Sequence, residues 1–222
     1  MKVCELFTSI QGEIQGLGRF CFFIRFFGCN LGSSCTIECD TPYSWQKEHE
    51  KNATDYSIAQ LSKKIQESGC TAVVITGGEP LLYQDEIRSL ITSVRNITPK
   101  IDKVFIETNG TILPKKWLFN DEMVRFNVSP KLEGFNPAKF PAPDRSIFKY
   151  IASGDNNELD MLLDKISNFP PLLRDRIYIM PKSKNRGEYL KNAPLVAKWC
   201  VKNKINFGPR LHLLLWDGKK GT

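Results

Sequence analysis

The chain has 222 residues, of which 41% are hydrophobic and 25% charged, and its formal net charge is +7 at pH 7. This composition is ordinary for a globular protein and excludes a disordered or low-complexity chain, while the length suits a single domain with a core of its own. No segment approaches the roughly eighteen uncharged apolar residues of a membrane span, and nothing at the N-terminus resembles a signal peptide. We therefore expect a cytoplasmic protein with no membrane partner.

The excess of positive charge lies in the second half of the chain. Residues 1–110 hold 11 Lys and Arg against 13 Asp and Glu, whereas residues 111–222 hold 20 against 11. A basic half can attract an anionic substrate or nucleic acid, but most often it is simply a solvated face. Charge alone therefore does not decide between these functions.

Strand-like and helix-like segments alternate along the chain. The segment 3–16 is predicted to begin as a short strand and to continue into a turn. The other predicted strands cover 19–27, 72–76, 103–108, 125–128, 146–151, 176–180 and 210–216. Predicted helices run from Ser57 to Gly69 and over 85–96, 158–167 and 188–202. This alternation is typical of a parallel sheet in an α/β fold, closed or partly closed as a barrel.

In such a barrel the active site gathers at the carboxyl ends of the strands. Four segments with unusual polar or glycine chemistry follow predicted strands, namely 28–45, 76–80, 107–110 and 129–131. We therefore expect these four loops to share one rim.

Three cysteines, Cys29, Cys35 and Cys39, fall within eleven residues of the loop 28–45. The chain has seven cysteines and no export signal, which favours reduced thiols over disulfides. Thiolates suit zinc or an iron–sulfur cluster, but a closed zinc site needs four ligands. His49 is a candidate fourth ligand, although its segment is typical of a solvated surface. In a four-iron cluster, by contrast, three cysteines leave one iron open to bind a small molecule.

Arg25 is the one charge inside the predicted strand 19–27. Burying it is costly unless an anion faces it. The anion is either Glu5 or Glu13 in a structural ion pair, or the carboxylate of a ligand, which a guanidinium binds through two parallel hydrogen bonds.

The three cysteines, followed after the next strand by Gly77, Gly78, Glu79 and Pro80, resemble the radical S-adenosylmethionine enzymes. In that superfamily the open iron chelates the methionine end of S-adenosylmethionine, the GGEP loop holds its amino group, and reductive cleavage yields a 5′-deoxyadenosyl radical. The resemblance implies one radical SAM domain over residues 1–222, folded as a partial TIM-like barrel, with a [4Fe-4S] cluster on the three cysteines.

Six further segments resemble the 7-carboxy-7-deazaguanine synthase family. They are SIQGE (9–13), FIRFFGCNL (23–31), CDTPYSW (39–45), ETNGT (107–111), SPK (129–131) and RLHLLLW (210–216). Members of that family contract the ring of 6-carboxy-5,6,7,8-tetrahydropterin to 7-carboxy-7-deazaguanine, with Mg²⁺ assisting and S-adenosylmethionine regenerated. The product feeds queuosine and other deazapurine nucleosides.

The resemblance also implies roles for individual residues. The pterin contacts would be Ile10, Gln11, Gly12, Arg25 and Thr76, with Arg25 on the substrate carboxylate. The Mg²⁺ ligand would be Thr41, and the S-adenosylmethionine contacts would be Gly78 at the methionine end and Ser129, Pro130 and Lys131 at the nucleoside. The implied partners are an electron donor such as flavodoxin or ferredoxin and a second copy of the chain in a homodimer, with no direct nucleic-acid partner.

The spacing of the cysteines departs from the family. Five and then three residues separate them, where three and then two are usual, and Glu38 stands where an aromatic or apolar residue usually packs near the adenine. Ile37 is the candidate for that contact.

Two alternative functions stay open. An activase of a glycyl-radical enzyme would share the cluster and GGEP but have no use for Thr41 or Arg25. A zinc-stapled nucleic-acid-binding module would use the basic half, although aromatic residues are not interleaved with its charges.

Overall fold

The structure is a computed structural model that describes residues 1–35, 38–131, 135–140, 144–219 and 221. Its strands, in chain order, are β1 (Lys2–Ile10), β2 (Phe20–Phe26), β3 (Thr54–Asp55), β4 (Ala72–Gly77), β5 (Lys103–Thr108), β6 (Val124–Val128), β7 (Ser146–Ala152), β8 (Ile177–Pro181) and β9 (Asn206–Phe207). Its helices are α1 (Ile58–Ser68), α2 (Gln84–Ile97), α3 (Lys116–Phe119), α4 (Asn156–Ser167), α5 (Pro171–Arg174), α6 (Arg186–Asn203) and α7 (Leu211–Trp216).

These strands form one sheet in the order β3-β1-β2-β4-β5-β6-β7-β8-β9. β1 runs antiparallel to β2 and β3, whereas β2 and β4 to β9 are parallel to their neighbours. The sheet is open, because β3 and β9 stand at its two ends instead of pairing with each other. The predicted partial barrel of parallel strands is therefore confirmed, with an antiparallel hairpin at one edge.

The two faces of the sheet carry different residues, because side chains alternate along a strand. On β4, Val73 and Ile75 join the main core together with Leu61 of α1. Val74, between them, packs with Phe105 of β5 in a smaller cluster on the opposite face. The helices thus cover one face and leave the other, the inner face of the barrel, available for a site.

Helix α1 shows why the predicted boundaries are close to the observed ones. The Gln60 N–H donates to Ser57 Oγ at 3.2 Å, and the Ser57 N–H donates to Gln60 Oε1 at 2.9 Å, which is a capping box. Leu61 and Ile65 are fully buried on one side, and Gly69 ends the helix with φ at 67°. The capping residue, the spacing of the apolar residues and the terminal glycine can all be recognised in the sequence.

The predicted strand at 210–216 is wrong, since Leu211–Trp216 form helix α7. Only Arg210, just before the helix, makes an isolated bridge, to Glu13. Periodicity does not separate a short apolar run in a strand from one in a helix, and leucine favours helices. In the helix Leu213 is buried while Leu215 is 47% exposed.

The buried carboxylate of Glu79 holds two strand ends together. Its Oε1 accepts hydrogen bonds from the Leu81 N–H at 2.9 Å and the Thr108 hydroxyl at 2.8 Å, and its Oε2 accepts one from the Asn109 N–H at 2.8 Å. Burial raises the pKa of Glu79 to about 7, although the three donors act in the opposite direction. The loop after β4 is therefore fastened to the end of β5.

This pKa predicts a pH-dependent stability. The folded carboxyl binds its proton more tightly than the unfolded one, so Glu79 stabilises the fold less and less as the pH rises from 4.5 to about 7. We expect the difference in unfolding free energy between the wild type and Glu79→Gln to fall through this window by at most about 3 kcal/mol. Denaturant unfolding at several pH values measures it, with the exposed Glu86→Gln as the control. A difference in unfolding free energy that does not change between pH 4.5 and 7 would contradict the raised pKa of Glu79.

Candidate active site at the carboxyl ends of the strands

The four loops that the sequence singles out border one another. The Glu79 N–H, after β4, donates to Gly28 O, after β2, at 2.8 Å. The Ser129 N–H, after β6, donates to Thr108 O, at the end of β5, also at 2.8 Å. Main-chain bonds therefore join the loops pairwise into one rim above the inner face of the barrel.

The cysteine loop 28–45 is closed on itself and packed against the GGEP loop. The Gly28 N–H donates to Ser44 O at 2.7 Å. A Cβ atom on Gly78 would lie 2.2 Å from Gly28 O and 2.9 Å from the Cβ of Cys29. Since real Cβ atoms do not approach a backbone so closely, only glycine allows the two loops to meet here.

The three cysteines of this loop are free thiols, each partly exposed. The Asn109 side-chain amide donates to Cys29 Sγ at 3.9 Å. Cys39 Sγ lies 3.8 Å from the hydroxyl of Thr41. Cys35 follows the short 3-10 helix Gly32–Ser34. The loop thus presents soft sulfur donors at the rim, and one hard hydroxyl oxygen beside the last of them.

This donor set fits an iron–sulfur cluster. A cluster needs free thiols at an accessible edge, and its ligands do not have to surround a single ion. Among the described residues, no three His, Cys, Asp or Glu side chains are gathered closely enough to hold one metal ion. His49 instead lies 3.5 Å from the carboxylate of Glu48. The adenine contact expected of Ile37 lies outside the described residues.

Arg25 forms the structural ion pair that the sequence offered as one of two possibilities. Its Nε lies 2.6 Å from Glu5 Oε2, and the Tyr43 hydroxyl donates to the same oxygen at 2.9 Å. Burial alone would lower the pKa of Arg25, but the nearby Tyr43 and Glu5 raise it. The Glu5 bond uses only Nε, and within the described chain the two terminal nitrogens make no hydrogen bond. Thr76, the register partner of Arg25 on β4, is half-buried beside it.

A buried group of charges lies below the rim, on the inner face of the sheet. Lys149 of β7 donates to Glu13 at 2.5 Å and also to Glu107 of β5. Each of the three side chains is less than a fifth exposed. Burial favours the neutral forms, but the mutual attraction outweighs it, so the pKa of Lys149 is raised and that of Glu13 is lowered. Lys149 and Glu13 are therefore charged at neutral pH.

Two amides join this group through Glu107. Gln11 Nε2 donates to Glu107 Oε1 at 3.1 Å, and Asn127 Nδ2 donates to the same oxygen at 2.6 Å. Gln11 is 3% exposed and Asn127 is 1% exposed. Within the described residues the Oδ1 of Asn127 has no hydrogen-bond partner. A buried acceptor of this kind is costly unless a ligand donates to it.

The C-terminal helix closes one side of this group. The Leu211 N–H donates to Gly12 O at 2.8 Å, and a Cβ on Gly12 would lie 2.3 Å from the His212 ring. Arg210 Nε lies 3.4 Å from Glu13. Burial lowers the pKa of His212, so this ring is neutral at pH 7. Of the predicted substrate contacts, Gln11 and Gly12 thus reach the buried group, while Ile10 ends β1 above them and is half-buried.

The predicted nucleoside contacts border a neighbouring cavity of about 250 Å³. Ser129 and Pro130 line it, together with Lys149 and Tyr150 of β7. Lys131, the next residue, is half-buried, and burial lowers its pKa, with a further contribution from Lys149. The cavity therefore adjoins both the rim and the buried charges.

Several of these residues are absent from the sequence-based site. Arg210 and His212 lie in the quoted segment RLHLLLW, but the segment implies no role for either residue. Lys149 gives the same signal as Arg25, a single charge inside an apolar strand, whereas Asn127 carries no local signal because its partner is distant in the chain.

Among the residues that the structure describes, every helix is too short or too polar to span a bilayer.

Comparisons with known proteins agree with this geometry. The family profile described as the radical SAM superfamily matches residues 23–166. The 7-carboxy-7-deazaguanine synthase of Hyperthermus butylicus is 33% identical over 97% of this chain and 92% of its own length. The synthase of Pyrobaculum aerophilum is 30% identical over 100% of this chain and 97% of its own length.

The fold has a solved counterpart as well. The crystal structure of QueE from Escherichia coli matches with a TM-score of 0.68 and covers 95% of this chain and 94% of its own, at 23% sequence identity. Its likeness supports the open barrel, and the sequence matches carry the family assignment. The chain therefore belongs to the radical SAM superfamily and, within it, to the family of 7-carboxy-7-deazaguanine synthases.

Proposed function

We propose that this chain contracts the ring of 6-carboxy-5,6,7,8-tetrahydropterin to 7-carboxy-7-deazaguanine, in the route to queuosine and related deazapurines. The observation that carries the proposal is the buried polar group formed by Gln11, Glu107, Asn127 and Lys149. A heterocycle rich in N–H donors and ring acceptors suits such a set. Arg210, which lies near both Glu13 and Asp40, connects the set to the cysteine loop. An activase that takes a protein chain as substrate would have no use for this polar set.

In this proposal Cys29, Cys35 and Cys39 hold a [4Fe-4S] cluster. The cluster and S-adenosylmethionine, when bound, supply the radical chemistry. Gly78 brings the GGEP backbone against the cysteine loop and so holds the methionine end. Ser129, Pro130 and Lys131 receive the nucleoside, since the first two line the cavity beside the rim.

The chain's own residues position the substrate. Glu107 accepts N–H donors of the pterin, and Asn127 Oδ1 accepts one more, which would satisfy its unpartnered oxygen. Lys149 donates to Glu107 and holds this side chain in place as an acceptor. The buried surroundings exclude water from the reacting atoms, and fixed donors and acceptors hold the ring in one orientation.

Arg25 and Thr41 bind the carboxylate end of the substrate. The ion pair with Glu5 occupies Arg25 Nε and leaves the terminal nitrogens to take a substrate carboxylate. Thr41 would supply a hard oxygen ligand to Mg²⁺, and the charge of the ion would help to hold an anionic substrate. The Glu5–Tyr43 hydrogen bond ties this end of the cysteine loop to β1 and so keeps the two binding groups together.

We also propose that residues 1–222 act as one domain, because the buried group takes side chains from both ends of the chain. The enzyme would work in the cytoplasm, where the thiols stay reduced, and would receive electrons from a flavodoxin or ferredoxin. It would act as a homodimer.

The direct test is turnover. The cluster is reconstituted with iron and sulfide under anaerobic conditions, and reductant, Mg²⁺, S-adenosylmethionine and the carboxylated pterin are added. We expect 7-carboxy-7-deazaguanine, identified by mass spectrometry, and no product when the pterin lacks its carboxylate. A sample with an intact cluster that forms no product would overturn the proposal.

Two variants separate the cluster from the magnesium site. Cys35→Ala should fail to assemble the cluster, because a thiolate ligand is lost. Thr41→Ala should keep full iron and sulfide content but lose most of the rate increase produced by Mg²⁺. Iron and sulfide analysis and Mg²⁺ titration of turnover measure both, with Cys4→Ala, outside the loop, as the control. Full cluster assembly in Cys35→Ala would show that the ligand assignment is wrong.

Glu107→Gln tests the substrate role of the buried group. The amide keeps the size of the side chain but presents a donor where the pterin needs a charged acceptor. The loss of a charge-assisted hydrogen bond predicts about a 10- to 100-fold fall in kcat/KM, with cluster content unchanged. The exposed Glu86→Gln serves as the control. An unchanged kcat/KM in Glu107→Gln would remove this residue from the site.

A further inference from the structure

A second cavity, of about 400 Å³, lies at the opposite end of the barrel. It is lined by residues near the amino ends of the strands, including Lys103, the first residue of β5, and Arg125, the second residue of β6. Arg176 enters from the residue before β8, and Gln15 and Gly16 from the turn between β1 and β2. Ligand sites commonly have volumes of about 300 to 1,000 Å³, so a small molecule fits here.

Four cations converge on this cavity, namely Arg19, Lys103, Arg125 and Arg176. All four are half-buried, whereas the lining contains one acid, Asp144, which already lies 3.3 Å from Arg145. Like charges held together in a partly buried space repel one another, and an anion between them would relieve that repulsion. The cavity therefore selects for negative charge.

Three of the cations form no direct ion pair among the described residues, namely Lys103, Arg125 and Arg176. Arg19 pairs with Asp102, and the charge of Asp102 also acts on Lys103 from a greater distance. Arg125 donates to two main-chain carbonyls at 2.8 Å, and Arg176 donates to Asp144 O at 2.6 Å. Carbonyl oxygens hold the guanidinium groups in place but do not neutralise them.

The lining also contains an unsatisfied buried group that points to a ligand. Gln15 Oε1 is buried and, within the described residues, accepts no hydrogen bond. The adjoining Arg145 Nε is likewise buried and makes no hydrogen bond among these residues, although the carboxylate of Asp144 lies near it. A donor group on a bound anion, such as a hydroxyl, would satisfy the glutamine oxygen.

The cavity is separate from the active site. Phe105 is 4% exposed, and it stands on β5 two residues before Glu107, on the same inner face. A Cβ on Gly16 would lie 2.6 Å from its ring, so the β1–β2 turn closes directly over the phenylalanine. This layer lies between the cavity and the buried polar group, so a ligand held here is neither the pterin nor S-adenosylmethionine of the rim.

We propose that this cavity, the lower basic cavity, binds a small phosphate-bearing anion. Guanidinium groups bind phosphate through paired, charge-assisted hydrogen bonds, and a diphosphate carries enough charge to neutralise three cations. A nucleic acid is disfavoured, because polymer backbones bind along stripes of exposed cations, whereas these side chains are half-buried.

Inorganic pyrophosphate is the probe, added to the reconstituted protein in Mg²⁺-free buffer and followed by calorimetry and phosphorus NMR. Lys103→Gln is the informative variant, because this lysine has no ion-pair partner among the described residues and its loss breaks no bond there. We expect saturable binding that is about tenfold weaker in Lys103→Gln, the loss of one charge-assisted bond. The exposed Lys198→Gln of α6 is the matched control and should bind as the wild type does.

The competing outcomes are distinct. Equal binding by the wild type and Lys103→Gln would overturn the proposal. Complete loss of binding when sodium chloride is raised to about 0.15 M would also overturn it, because it would show that only screened, non-specific attraction holds the anion. RNA binding that depends on Lys103 but does not compete with pyrophosphate would replace it with a polymer site. Circular dichroism confirms that each variant is folded. Turnover of the pterin plays no part in the readout, so the result stands independently of the proposed function.

Discussion

The site depends on one buried carboxylate, that of Glu79. Loops at strand ends expose main-chain N–H groups that no ladder satisfies, and a buried N–H without a partner is costly. Glu79 accepts from two such groups, at Leu81 and Asn109, and its own N–H donates to Gly28. One residue, through its side chain and its main-chain N–H, therefore holds the loops after β2, β4 and β5 together. The close approach at Gly78 requires this fastening, since a loose loop would not hold the cysteine segment at backbone contact distance.

The charges inside the barrel are explained better by function than by stability. Removing Lys149, Glu13 and Glu107 from water is costly, and apolar residues of similar size commonly stabilise a fold as well or better. Here Lys149 donates to both acidic side chains, and Gln11 and Asn127 donate to Glu107 as well. A sheet with an apolar inner face would fold without them. Their presence under the rim supports the proposal that a polar substrate binds there.

Features that depend on neighbouring residues can be predicted from the sequence, whereas contacts between residues far apart in the chain cannot. The cysteine loop, the GGEP turn and the cap of α1 are local patterns, and the order of strands brings their loops together through the geometry of a parallel sheet. Glu13 and Lys149 are 136 residues apart in the chain, and the residues around each of them do not predict that the two make contact. The strand predicted at 210–216 is wrong for a different reason. A short run that contains four leucines and a tryptophan is compatible with either a strand or a helix until its neighbours in the fold are known.

The fold buries several cations of the basic C-terminal half instead of leaving them on a solvated surface. A basic half reads most simply as a solvated surface, yet Lys149 and Arg210 from that half are buried against Glu13 from the other. Arg125 and Arg176 face the lower basic cavity, where Arg19 and Lys103 of the acidic half join them. Cations of the basic half therefore lie at both ends of the barrel, and at the amino ends of the strands they meet cations of the acidic half. Each strand of a parallel sheet carries its first residues to one end and its last to the other, so a single set of strands builds a thiol-bearing rim above and a cationic mouth below.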